Sequence, residues 1–219
     1  MKKMIICLSL AALVFIQAVF AVSAAGLPLT GQGAPKPALP SSISGAIVNL
    51  SDKTIEVKSG QTGDSIVLNL GDIPRVVDCV SGQPAAVTDM KRGDKVVAYY
   101  GPAVAQSMPP QSNALVVIRN IPQDYQAPCY AQVESIEKAP DGNSVKVTIG
   151  NGSIIVIINR DTQIYPYLTR NIVSIDNIKV GSQVLMWYPF VAPSYPARAT
   201  SMKTVILGQA VISDWLTVK

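Results

Sequence analysis

The 219-residue chain contains no histidine, which excludes catalytic triads, proton shuttles and metal sites that depend on an imidazole. Its 18 basic and 14 acidic residues give a net charge of +4, which is too small to predict nucleic acid or an anionic membrane as a partner. The length suits one large domain or two small ones.

The first 25 residues have the organisation of a secretory signal peptide. Lys2 and Lys3 precede an apolar run that continues to Val22, and small residues follow at positions 23–25. We therefore expect residues 1–25 to be cleaved, leaving a secreted protein, extracellular or at the cell envelope, with no membrane span. An uncleaved anchor is the alternative, because the apolar run is long enough to cross a bilayer. Residues 26–42 are rich in Pro and Gly and predict a flexible linker.

Short runs of Val, Ile and Thr, separated by turn residues, predict an all-β fold. In the first half of the chain we expect strands near residues 46–50, 55–57, 66–70, 96–100 and 115–119. Residues 87–90 are expected to form one helical turn that plugs an end of the strand assembly.

The same pattern occurs a second time. The stretch KRGDKVVAYYGPAV from Lys91 matches KVGSQVLMWYPFVA from Lys179, so that Gly93 corresponds to Gly181, 88 residues later. We predict two units related by internal duplication, residues 43–122 and 128–219. Each is predicted to be a small OB-like barrel of five to six strands, because closure satisfies the edge strands. A small sandwich is the competing architecture.

Two further features belong to the second unit. Gly150-Asn151-Gly152 predicts a hairpin turn, because Asn and Gly both tolerate positive φ. Residues 173–177 are expected to form a second helical turn. The stretch GQAVISDWLTVK from Gly208 resembles GAIVNLSDKTIEVK from Gly45, which predicts an extra C-terminal hairpin or strand.

An aromatic pair precedes a proline-containing loop in each unit, and strand alternation places one aromatic of each pair inside and the other outside. We favour a structural interpretation, in which the prolines make rigid crossings and the rings cover core or sheet edges. The alternative is an exposed platform for sugar rings or a protein partner. The candidate binding residues are Tyr99, Tyr100, Trp187, Tyr188, Phe190 and Tyr195.

Cys79 and Cys129 remain after removal of the leader. Outside the cell they could form a disulfide, or they could be two separate thiols, since sequence spacing does not reveal the distance between them. The sequence predicts no cofactor and no metal site. Asp72 and Asp161 correspond between the units, and we interpret them as solvated surface charges.

The stretch GDKVVAYYGPAVAQSMPPQSNALVVIRNIP, with LNLGDIPRVVDCVSGQP upstream, resembles a group of uncharacterised secreted proteins. These are tandem β-repeat proteins of Gram-positive, often anaerobic, bacteria, and some carry a neighbour similar to the N-terminal domain of copper amine oxidases. The resemblance is good in the first unit and loose in the second, where Gly-Pro becomes Pro-Phe. It implies export and a β-fold, and it brings no active-site residue to this chain.

These observations predict a secreted, non-catalytic β-domain protein that acts as a binding or structural module at the cell envelope. Its expected partner is a cell-wall glycan or an envelope protein. One alternative is an enzyme with an unrecognised site that uses Cys79 or Cys129. Another is an OB-like oligonucleotide binder, although the weak charge and the sparse mixing of lysines with aromatic residues argue against it.

Overall fold

The computed structural model describes residues 38–140, 142–168 and 173–209 and shows an all-β protein. Two single 3₁₀ turns occur, at Val87–Asp89 and Ile175–Asn177. The strands are β1 Ser41–Leu50, β2 Thr54–Ser59, β3 Ser65–Asn69, β4 Val76–Asp78, β5 Lys95–Tyr100, β6 Gln111–Arg119, β7 Cys129–Gln132, β8 Ser135–Lys138, β9 Ser144–Ile149, β10 Ile154–Asn159, β11 Gln163–Pro166, β12 Ser182–Trp187, β13 Val191–Ala192, β14 Ala197–Thr200 and β15 Lys203–Gln209.

Five strands of the first half close into a barrel. Antiparallel pairings join β2 to β1, β1 to β5 and β5 to β6, and β2 also pairs with β3. A parallel pairing between β3 and the start of β6, with Val67 opposite Gln111, completes the circuit. The short β4 lies parallel to β6 on its other side. The expected barrel is thus confirmed for this half, and the sandwich alternative is wrong there.

The second half is arranged as two sheets. One has the strand order β13-β14-β10-β9-β8, and the other has the order β11-β15-β12-β7. Only two residues separate β7 from β8, and only two separate β14 from β15. The chain therefore passes directly from one sheet to the other at two places.

The predicted turns form where the sequence places them. Asn151 has a φ of 57° and lies between Gly150 and Gly152, which also have positive φ, as the hairpin prediction requires. Both helical turns are confirmed as 3₁₀ turns. The residue that follows each of them, Met90 in the first half and Ile178 in the second, is buried in the neighbouring core.

Buried apolar side chains form three clusters. The first fills the barrel and includes Ile55, Leu68 and Val117. The third lies between the two sheets of the second half and includes Val147 and Ile158. The second cluster, which we call the interface core, joins the halves. It contains Val77, Cys79, Leu115, Val116 and Ile118 from the first half and Tyr130, Tyr167, Leu185, Trp187, Val205 and Leu207 from the second.

Polar contacts accompany the interface core. Arg75 Nη1 donates a hydrogen bond to Gln183 Oε1 at 2.6 Å. The hydroxyl oxygen of Tyr167 accepts one from the amide of Val76 at 3.0 Å. Because buried polar groups are stable only when they are hydrogen-bonded, these bonds favour one relative position of the halves.

Several predictions concern residues that the structure does not describe. The signal peptide at 1–25 and most of the linker lie outside the described residues. The linker prediction is wrong at its end, because β1 begins at Ser41, where it pairs with Tyr100. Of the proposed C-terminal hairpin, only Gly208 and Gln209 are described, and both belong to β15. Within the described ranges, no helix has the length and apolar character needed to cross a membrane.

Candidate functional site

The six candidate aromatic residues do not share one surface. Tyr100 is half-buried and packs against the core of the barrel, next to Val96 and Ala98 of the same strand face. Tyr188 packs in the same way against the core of the second half. These two side chains lie on the inner strand face, as the alternation predicts, and they support cores.

Tyr99 and Trp187 lie on the outer strand faces, but the interface core covers those faces. Trp187 is 3% exposed, and its Nε1 donates a hydrogen bond to the carbonyl of Cys79 at 3.0 Å. Tyr99 is half-buried and donates its hydroxyl to the carbonyl of Pro128 at 3.1 Å, and burial raises its pKa to about 12. The exposed-platform interpretation is wrong for Trp187, because the two halves bury their outer faces against each other.

Phe190 and Tyr195 are the two candidates with exposed rings, at 68% and 96%. Tyr195 lies at the tip of the loop between β13 and β14, where the Ser194 hydroxyl donates to the carbonyl of Pro196 at 2.8 Å. Whether either ring binds a ligand stays a prediction.

The first half repeats this loop tip. Ser107 donates its hydroxyl to the carbonyl of Pro109 at 2.7 Å, and Met108 between them is completely exposed. The peptide bond before the proline is cis in both tips. The sequence signal for this loop tip is Ser-x-Pro, which is present in both loops.

The two cysteines are free thiols in the structure, so they do not form the disulfide that was one of the two alternatives. Cys79 is buried in the interface core, and Cys129 is half-buried. Burial raises the pKa of both thiols, and a hydrogen bond with Tyr188 partly offsets this effect at Cys129. A raised thiol pKa makes a poor nucleophile at neutral pH, because the thiolate is the reactive form.

A groove of about 520 Å³ lies in the second half, and we call it the Tyr125 groove. Its walls come from the segment between the halves, from the turn after β10 and from the junction between β14 and β15. The lining residues are Tyr125, Asn159, Asp161, Gln163, Trp187, Thr200, Ser201, Met202 and Lys203.

Hydrogen bonds make the floor of the groove rigid. The buried Thr162 donates its hydroxyl to the carbonyl of Ser201 at 2.7 Å, and the amide of Gln163 donates to the carbonyl of Met202 at 2.9 Å. The amide of Met202 donates to the carbonyl of Trp187 at 2.8 Å. Main-chain and buried side-chain bonds therefore hold the lining residues before any ligand arrives.

The rim of the groove carries polar and aromatic groups. Tyr125 is 40% exposed, and its amide closes a turn by donating to the carbonyl of Pro122. Lys203 extends over the Trp187 ring, with Nζ 5.1 Å from the ring centroid, and donates to the carbonyl of Val80 at 2.6 Å. Asp161 is exposed at the rim.

The sequence made Trp187 a candidate binding residue, but it gave Asp161 only as a solvated surface charge, and it did not predict the groove. Tyr125 stands in a segment with no strand pattern, and only the packing of the two halves brings it to the turn after β10. In the part of the chain that the structure describes, no three Cys, Asp or Glu residues come together in a way that could hold a metal ion.

Neither protein-family models nor curated proteins match this chain. The resemblance to secreted repeat proteins therefore stays a prediction.

Proposed function

We propose that this chain is an exported, non-catalytic β-module that binds a glycan in the Tyr125 groove. The observation that carries the proposal is the groove itself, a rigid hollow of about 520 Å³ that combines the partly exposed ring of Tyr125 with amide, carboxylate and hydroxyl side chains. Its volume lies in the range of about 300–1,000 Å³ that small-molecule sites occupy.

The chemistry of the lining suits a sugar. A pyranose ring presents one apolar C–H face and a circle of hydroxyl groups that both donate and accept hydrogen bonds. The exposed ring of Tyr125 supplies an apolar face for stacking. Gln163, Asp161 and Thr200 supply donors and acceptors that match hydroxyl groups.

The lining gives less support to an enzyme. Neither cysteine lines the Tyr125 groove, and burial raises the pKa of both thiols. Among the residues that line the groove, Asp161 is the one carboxylate, whereas glycoside hydrolysis usually needs two carboxylates flanking the bond. Binding requires only the shape of the groove and its hydrogen-bonding groups.

We also propose that the two halves are tandem OB-like barrels related by duplication. In the first half, Ile47 donates its amide to Asp94 and accepts from Gly93. Val133 makes the same two bonds with residues 181–182. In this reading β7 and β8 together correspond to β1, and β14 and β15 together correspond to β6. The second barrel would then have the strand arrangement of the first, with two of its long strands each divided into two short ones.

The export part of the proposal depends on the signal-peptide pattern of residues 1–25. It places the mature protein at the cell envelope or outside the cell, where cell-wall glycans are the accessible polymers.

A protein ligand is the second candidate, and the two loop tips favour it. Met108 and Tyr195 are large side chains with essentially complete exposure, each held at the tip of a short proline loop. Exposed aromatic and methionine side chains are typical anchors in protein interfaces.

A glycan-binding screen on residues 26–219, the chain without its leader, tests the proposal. We expect a neutral oligosaccharide to bind, and Tyr125→Ala to weaken that binding about tenfold, because burying roughly 55 Å² of apolar surface between the ring and a sugar face contributes about 1.4 kcal/mol at about 25 cal/mol per Å². Tyr195→Ala is the matched control, since it removes an exposed ring outside the groove. A glycan that binds both variants equally well, or binding to single-stranded DNA alone, would contradict the proposal. Loss of a protein partner in Tyr195→Ala only would favour the second candidate.

A further inference from the structure

A second hollow adjoins the Tyr125 groove. It has a volume of about 360 Å³ and is lined by Ile157, Pro189, Phe190, Ala192, Arg198, Ala199 and Thr200. We call it the Phe190 hollow. Thr200 lines both hollows, so the two lie next to each other across β14.

Strand register explains why the two hollows are neighbours. β14 runs parallel to β10 with Ile155 opposite Arg198 and Ile157 opposite Thr200. Since alternate residues share a face, Arg198 and Thr200 lie on one side of the sheet, about 7 Å apart along the strand. The two hollows therefore follow one another along the outer face of this sheet, where Arg198 lines one hollow and Asn159, two residues after Ile157, lines the other.

The Phe190 hollow differs chemically from the Tyr125 groove. It offers one exposed aromatic ring, Phe190, beside one charged group, the guanidinium of Arg198. Arg198 is exposed, and among the described residues no carboxylate lies within 4 Å of it. A planar guanidinium binds a carboxylate through two parallel hydrogen bonds, and this geometry is more specific than that of an ammonium group.

The first half lacks this combination. The parallel pairing of β3 with β6 places Gln111 opposite Val67, where the second half has Arg198 opposite Ile155. The corresponding outer position is thus neutral. The charge is a property of the second half alone.

We infer that the Phe190 hollow is a subsite for a hexuronic acid, so that the ligand is an acidic oligosaccharide lying across both hollows. A sugar ring stacks on Phe190 while its ring-borne carboxylate pairs with Arg198. A carboxylate carried directly on the ring is held in a fixed position relative to the stacked face, which suits recognition by one aromatic ring and one guanidinium. Asp161 in the Tyr125 groove repels a second carboxylate there, so the neighbouring sugar is neutral or presents its hydroxyl groups. The inference rests on the proposed function, because it extends the same site.

Calorimetry with two probes of equal length tests the inference: cellobiouronate, which carries one uronate beside a neutral glucose, and cellobiose, which is neutral. We expect wild-type residues 26–219 to bind the acidic probe about tenfold more tightly, and Arg198→Gln to remove most of this preference, because it weakens binding of the acidic probe far more than binding of the neutral one. Arg198→Gln is a mild change at an exposed position, and it introduces the residue type that the first half carries. Phe190→Ala should weaken both probes, and Gln111→Ala in the first half is the control that should change neither.

The outcomes separate this inference from the proposed function. If cellobiose binds and Tyr125→Ala weakens its binding, while wild type and Arg198→Gln both bind the two probes equally tightly, the subsite is wrong and the glycan proposal stands. If neither probe binds and no other glycan does, the proposed function fails and the subsite fails with it. A preference for a sugar with a lactyl carboxylate over cellobiouronate would also overturn the assignment to a uronic acid.

Discussion

Trp187→Phe tests the central structural claim, that the two halves share one buried core. The substitution removes the indole N–H that donates to the carbonyl of Cys79 at 3.0 Å, and it leaves this buried carbonyl without that donor. Such a loss costs about 1–3 kcal/mol. The smaller ring also leaves unfilled space at a side chain that is only 3% exposed, and it weakens the contact with the Lys203 ammonium. We expect these losses to add about 1 kcal/mol, so the free energy of unfolding should fall by about 2–4 kcal/mol in total.

Urea unfolding followed by far-UV circular dichroism measures this change. Circular dichroism is preferable to fluorescence, because the substitution removes one of the two tryptophans of the chain. Tyr195→Ala is the control, since its ring is 96% exposed, and we expect its effect to stay within about 0.5 kcal/mol. Wild type should unfold in a single transition, because the interface core couples the halves. A loss below about 0.5 kcal/mol in Trp187→Phe, or two separate transitions of which only one is shifted, would refute the reasoning.

Three further predictions concern a glycine, a carboxylate and the two thiols. Gly82→Ala should destabilise the fold by about 1 kcal/mol more than Gly71→Ala in urea unfolding. Both glycines have positive φ, but only at Gly82 would the new Cβ meet neighbouring atoms, with Lys203 Cδ 3.1 Å away, so equal losses of stability would contradict a tight interface. Burial raises the pKa of Asp78, but hydrogen bonds from Ser81, Asn120 and Val80 outweigh this effect and leave the pKa below its ordinary value of 3.8. The ionised carboxylate therefore stabilises the fold above pH 3.8, and the destabilisation caused by Asp78→Ala should shrink as the pH falls through the pKa of the folded state. A loss of stability that does not depend on pH would count against this account. The intact mass measured without reductant should show free thiols at Cys79 and Cys129, and a thiol reagent at neutral pH should label both far more slowly in folded protein than in urea. The mass of a disulfide-bonded chain would contradict the structure, and fast labelling of folded protein would reopen the enzyme alternative.

The local architecture could be read from the sequence. Val96, Ala98 and Tyr100 alternate with Val97 and Tyr99, and this period of two assigned each side chain to the correct strand face. Turn residues were equally informative, because the left-handed backbone at Asn151 is accessible to few residue types. The helical turns before Lys-x-Gly were also predicted correctly.

The candidate site could not be read in this way. Tyr125 and Asp161 are 36 positions apart, and a segment without strand periodicity holds the tyrosine, so no local pattern links them. The redox state of Cys79 and Cys129 could not be predicted either, because it depends on the distance between the two thiols. Their separation depends on where β4 and β7 lie in the folded chain, and sequence spacing carries no information about that.

The sequence by itself determined which residues form strands, which face of each strand is apolar and where the chain turns, because these properties depend on neighbours within a few positions. Only the tertiary structure decided what covers the apolar outer faces of β5 and β12. Burial against the other half turned Trp187 from a candidate binding ring into a hydrogen-bonded part of the interface core. The physical reason is that alternation along a strand specifies which face of the sheet a side chain lies on, whereas its exposure depends on whether a distant part of the chain packs against that face and excludes water.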